Sequence, residues 1–313
     1  MKTTPVTPDD LTASVLALPP LANDAQGRPD AAANLAIARW LQAAGVGSFL
    51  YGGCANFFNA PVREYGALLD AISAPARADD WLIPSIGPDY GKACDQVDVL
   101  RERAFPTAML LPLAQATPAG VATGLRRLSD RFGRPLMVFF KSPDYVAARD
   151  LAALLRDGVL CCVEYGITGS AEPEPFLAAL LDAAGDASRI IDGLGERTVV
   201  GNARHGLRGF TTGSGVVAPH LSMGLLRAVR QGDLDTAARL REAFLPLEAL
   251  RQAHGPIPVL HEAVRLAGIA DTGPIAPFFS NCTDPAVLAS IGAAAERLKA
   301  LSLDGADAAI VPK

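Results

Sequence analysis

Short apolar runs recur along this chain, separated by stretches whose apolar residues fall at helical spacing. Eight runs read as strands: residues 13–19, 47–53, 81–86, 107–113, 135–141, 159–166, 188–193 and 209–215. Most are apolar nearly throughout instead of alternating, which is how a strand buried on both faces of a parallel sheet reads. Segments 31–45, 62–73, 94–104, 120–133 and 147–158 carry apolar residues near a 3.6 period and read as crossover helices. That alternation, repeated around eight strands, predicts an α/β protein, a (β/α)8 TIM barrel over residues 1–222. Beyond it, residues 223–313 show helical patterns with no strand between them, and predict a C-terminal helical extension.

The rival arrangement is an open, doubly wound sheet, which calls for a glycine fingerprint after the first strand. The turn there reads "LPPLAND" and has none. "GSGVVA" at 213–218 matches the GxGxxA spacing, but it sits late, and Asp233, about 20 residues on, falls in a helical stretch. No dinucleotide cofactor is expected.

Composition narrows the partners. The chain has 313 residues, half of them hydrophobic, and a net charge of −5, which suits a folded protein with a large core. Lysines and arginines are scattered rather than striped, so neither nucleic acid nor an anionic membrane surface is expected as partner, and a small molecule is. No apolar run approaches the roughly 20 residues of a transmembrane helix, and "MKTTPVTPDD" lacks the basic and apolar regions of a signal peptide. A cytoplasmic protein is the expectation. Five cysteines with no CxxC read as free thiols, and strand alternation puts the adjacent Cys161 and Cys162 on opposite faces.

Candidate chemistry gathers where the runs end. "VLCCVEYG" carries Glu164 at the end of the sixth run, the barrel face where catalysis sits. Apolar neighbours would raise its pKa and suit it to general acid or base work. The structural alternative is a carboxylate neutralised by Lys141 or Arg204. The loops after runs seven and eight, with Gly193, Thr211, Thr212, Gly213 and Ser214, could bind an anion through amides and hydroxyls, or merely turn tightly. Cys54 is a loop thiol that could act as a nucleophile, or simply be small and buried. Glu164 and Asp192 with His205 or Cys54 would make a mixed metal site, but the four histidines show no HxH or HExxH spacing, and no metal is expected.

The order "ALPPLANDAQGRPD", "GVGSFLYGGCANFFNAPVREY", "FFKSPDY" and "GPIPVLHEAVRLAGIADTGPIAPFF" resembles the dihydrodipicolinate synthase and N-acetylneuraminate lyase family. Its "ANFFNAPVREY" run is most similar to the 5-dehydro-4-deoxyglucarate dehydratase branch. The resemblance implies a barrel with a three-helix C-terminal extension, a homodimer or homotetramer, no cofactor, and a lyase (aldolase or dehydratase) working on a carboxylate-bearing substrate through a Schiff base. Carried over residue by residue, it puts Glu164 where the imine-forming lysine belongs and Phe140 at the proton-relaying tyrosine. Tyr145 stands where many members place a carboxylate-binding arginine, and Gly52, Gly53, Cys54 and Asn56 fall in the place of the Gly-Thr-Thr-Gly-Glu loop, whose threonine hydroxyls are lost. Lys141 is the substitute lysine, but if Phe140 faces the barrel, alternation points Lys141 away unless a bulge intervenes. The expectation is a lyase for a small 2-oxo or sugar acid using Glu164 without an imine; the alternative is a family member without catalysis that binds a ligand or partner.

Overall fold

A computed structural model describes residues 1–167, 174–301 and 303. Among them, eight parallel strands form one sheet: β1 (Leu16–Ala17), β2 (Ser48–Tyr51), β3 (Trp81–Ile86), β4 (Met109–Leu110), β5 (Leu136–Phe140), β6 (Leu160–Tyr165), β7 (Ile190–Asp192) and β8 (Thr211–Thr212). Each pairs with its sequence neighbour, β1 pairs with β8, and a parallel bridge from Asp192 to Phe210 joins β7 to β8. The ring is therefore closed, as expected of a (β/α)8 barrel.

The short helix α1 (Asp10–Ala13) precedes β1. A helix follows each strand in turn: α2 (Ala31–Ala43), α3 (Val62–Ser73), α4 (Tyr90–Arg101), α5 (Pro118–Phe132), α6 (Ala148–Arg156), α7 (Pro175–Ala184), α8 (Val199–Arg204) and α9 (Pro219–Gln231). The chain then adds α10 (Leu234–Glu242), α11 (Leu245–His254), α12 (Pro256–Leu266) and α13 (Pro285–Ala300). The division drawn at 222/223 falls inside α9, the eighth barrel helix. No helix among the described residues is long and apolar enough to cross a membrane.

Two apolar clusters fill the molecule, and strand alternation sorts residues between them. Phe49, Leu82, Val138, Phe140, Val163 and Tyr165 point outward into the layer beneath the helices. Leu16, Leu50, Trp81, Ile83, Met109, Met137 and Ile191 point inward and fill the lumen, with Leu11 and Val6 of the N-terminal segment packed against them.

One strand breaks the alternation. Leu136 pairs with Leu160, but Met137 pairs with Cys162, so Cys161 is an extra residue bulged out of the ladder. Both cysteines consequently join the inner cluster. The expectation that they face opposite sides is corrected, and the reason is the bulge. The same slip reverses the phase of the rest of β6. Counting from the outward Leu160 without it, Glu164 would face the helices; with it, Val163 and Tyr165 face out and Glu164 faces the lumen.

Candidate active site

The C-terminal ends of the strands open into a cavity of about 420 Å³. One part of its wall is apolar, with Leu18, Leu50, Phe58, Met109, Leu111 and Phe139. The remainder is charged, with Lys141, Arg197 and Arg251 alongside Glu164, Glu196 and Glu248.

Glu164 lies in that wall only 2% exposed, and its Oε2 has no hydrogen-bond partner. Burial raises its pKa from 4.5 to about 8; the Thr211 hydroxyl and the charge on Lys141 oppose the rise, and Asp192 adds to it. Burial thus favours the protonated, neutral form of the carboxyl at pH 7. Gly193 makes room for it, since a Cβ there would stand 2.8 Å from Glu164 Cγ and 3.0 Å from Phe139 Cε2.

Phe140 is not beside it. The ring is fully buried on the outer face, stacked on Phe176 at 4.4 Å between centroids and on Tyr165 at 6.2 Å. The placement of Phe140 in the mouth is corrected: the inward ring of β5 is Phe139, which pairs with Glu164 across the ladder. Two residues on from Phe139, Lys141 follows the same face, lines the cavity, and holds Nζ 5.1 Å from the Phe139 ring centroid. The inference that Lys141 points away is reversed together with that of Phe140.

Of the loop after β2, Gly53 and Cys54 line the cavity. Gly52 is packed beneath, where a Cβ would approach Met109 Cε to 2.9 Å. Asn56, in a left-handed conformation at φ 55°, ties the loop to the C-terminal segment through Nδ2 donated to Ala276 O at 2.7 Å. Its side-chain amide is thus used within the fold. Cys54 is buried, and burial pushes its thiol up despite the neighbouring Arg251. Tyr145 also lies outside the cavity, in an adjoining groove with Pro112, Leu113 and Lys141.

The loops after β7 and β8 use their donors internally. Asp192 accepts from the amides of Leu194 and Gly195, each at 2.8 Å, from Thr198 Oγ1 at 2.9 Å and from Asn202 Nδ2. Burial lifts its pKa to about 6 while those bonds restrain the rise. Thr212 Oγ1 donates to Glu196 and Ser214 Oγ to Glu248. Neither residue lines the cavity, whereas Thr211, Gly193 and Gly213 do. Carboxylates of the protein already hold the Thr212 and Ser214 hydroxyls and the Leu194 and Gly195 amides, so of the anion-binding groups considered in these loops only Thr211, Gly193 and Gly213 stand at the cavity. His205 caps the far end of α8, away from the mouth. Among the described residues, no group of three or more His, Cys, Asp or Glu could hold a metal ion.

The residues that sequence reasoning missed come from α11 and from the turn after β7. Glu196 is buried, with a pKa raised to about 7 by burial and by Glu248. Arg251, 9% exposed, donates through Nη1 to Glu248. The i, i+3 spacing of Glu248 and Arg251 signals an ion pair on one helix face. Nothing in it signals a cavity.

Searched as a whole structure, the molecule is similar to several solved barrels. It overlays dihydrodipicolinate synthase from Bacillus clausii with a TM-score of 0.80 at 19% identity, covering 92% of this chain and 97% of that one. The fold is that of the dihydrodipicolinate synthases. A Ruminococcus gnavus sialic acid aldolase altered at its catalytic lysine matches at 0.79 and 14% identity, covering 96% and 99%. An Escherichia coli K12 prophage protein of the dihydrodipicolinic acid synthase family, in complex with pyruvate, matches at 0.76 and 18%, covering 91% and 98%. No family model matches the sequence of this barrel, and comparison with curated proteins finds no match.

Proposed function

We propose that this chain is a carbon–carbon or carbon–oxygen lyase acting on a small 2-oxo or sugar acid, with Glu164 as its proton-transfer group and no imine at that position. The observation that carries the reading is the Glu164 carboxyl: buried in a cavity wall, with its pKa pushed up to about 8 and one oxygen without a hydrogen-bond partner. A general acid works best when its pKa lies near the operating pH.

In a dehydration, the carboxyl gives its proton to the departing hydroxyl, the C–O bond breaks and water leaves. The carboxylate then takes a proton from the neighbouring carbon and is restored. With burial holding Glu164 and Glu196 toward their protonated forms, Lys141, Arg197 and Arg251 outweigh the carboxylate charge in the wall. That excess of positive charge favours an anionic substrate and stabilises charge developing on it. The sialic acid aldolase neighbour has a catalytic lysine, and the E. coli neighbour was found with pyruvate. These likenesses support a 2-oxo acid as the first substrate class to test.

A second reading rests on Lys141, which lines the cavity and is an amine able to form an imine. Incubation with pyruvate, borohydride reduction and peptide mass measurement separates the two. No adduct is expected; a reduced adduct on Lys141 transfers the chemistry to that residue. A screen of 2-oxo and sugar acids for turnover, repeated with Glu164→Gln, tests the leading reading. A fall of roughly 10²- to 10⁴-fold in kcat is expected, and unchanged turnover removes Glu164 from catalysis.

A further inference from the structure

An acid substrate needs a partner for its carboxylate, and in the glycine-rich loops Thr212 and Ser214 have committed their hydroxyls to Glu196 and Glu248. Arg251 is placed differently. It reaches the cavity from α11, outside the barrel proper, with Nη1 held by Glu248. Its Nε is buried without a hydrogen-bond partner, and Nη2 meets Cys54 Sγ at 3.8 Å. One corner of the guanidinium is therefore pinned, while the Nε–Nη2 edge has no oxygen acceptor. That edge is the fork that grips a carboxylate with two parallel hydrogen bonds. Backbone has been cleared for it, since a Cβ on Gly213 would stand 2.3 Å from Nη2.

Ring order locates the group. Arg251 touches Gly213, just past β8, and Cys54, just past β2, so it sits over β1, which pairs with both. Lys141 directly follows β5, four strands away around a ring of eight. We propose that Arg251 is the docking residue for the ligand's carboxylate, fixed by Glu248, on the side of the mouth across from Lys141. The ligand it fits is an oxo acid whose carboxylate lies several bonds from the group that Glu164 reaches, longer than pyruvate. This deepens the reading of the cavity as an acid site and rests on it.

The test is calorimetric titration with pyruvate and with linear ω-oxo acids of four to six carbons, each alongside its uncharged methyl ester, against wild-type and Arg251→Met. The best-bound acid is expected to have four to six carbons and to lose about 30-fold or more in affinity, the size of a lost charge-assisted pair. Its ester should change by less than about threefold. Because Arg251→Met leaves Glu248 buried and unpaired, Glu248→Gln/Arg251→Met is run in parallel and should show the same split. Equal loss for acid and ester, no loss for either, tightest binding by pyruvate, or no binding of any acid to wild-type overturns the proposal. Glu164→Gln should retain acid binding, so failure of the proton-transfer reading appears in turnover and failure of docking in affinity.

Discussion

Glu164 makes folding stability depend on pH in a way that can be isolated. Its pKa rises from 4.5 to about 8 on folding because the charged form loses its solvent. Below pH 4.5 the carboxyl is protonated in both states and contributes no pH dependence. Between 4.5 and 8 the folded state holds a proton that the unfolded state has released, so stability falls steadily with rising pH. Above about 8 both states are ionised and the full penalty is in place. Three and a half pH units at about 1.4 kcal/mol each amount to roughly 5 kcal/mol. Glu164→Gln removes the titration and leaves a similar shape. Urea unfolding of wild-type and variant at pH 5 and at pH 9 gives a difference of differences, in which Asp192 and Glu196, present in both proteins, largely cancel. The variant should gain roughly 4 kcal/mol relative to wild-type between pH 5 and pH 9. An equal gap at the two pH values would show an ordinary carboxylate and would remove the physical basis for proton donation at neutral pH.

Gly193→Ala should lower the melting temperature by several degrees, the cost of overpacking by about 1–3 kcal/mol, and should also reduce turnover by pushing Glu164 aside; a variant as stable as wild-type refutes the close packing. The two aromatic neighbours of β5 should separate cleanly. Phe140→Ala should destabilise by about 3–5 kcal/mol in denaturant unfolding and leave ligand affinity unchanged, whereas Phe139→Ala should alter affinity and disturb stability less. The reverse outcome would mean that β5 is in the other phase.

Those last two residues show where the sequence could be read and where it could not. Eight strands were visible because a strand buried on both faces is continuously apolar, and the structure has a strand within each of the eight runs. The same property hides facing: in "LMVFF" nothing distinguishes the lumen side from the helix side, so Phe140 was placed inward on the strength of a motif alignment. Glu164 was legible as a site residue because a carboxyl after a fully apolar run is chemically conspicuous. Its direction depends on the extra residue at Cys161, and two adjacent cysteines carry no mark of a bulge. Thr212 and Ser214 look like free hydroxyls in the sequence; their acceptors, Glu196 and Glu248, lie 16 and 34 residues away. Arg251 was unreadable because α11 has an ordinary amphipathic pattern, and its reach into the mouth follows from how the extension packs.

That reach has a consequence for the newly made chain. The last strand ends at Thr212, and Arg251 comes 39 residues later. At typical synthesis rates the ring of strands precedes the arrival of Arg251 by roughly two to eight seconds. During that interval Gly213 faces an open gap and Glu196 lacks the cation beside it. The carboxylate proposed to dock on Arg251 therefore meets only Lys141 and Arg197 in the wall until α11 is made. The proposed dock is complete only once the C-terminal helices are in place.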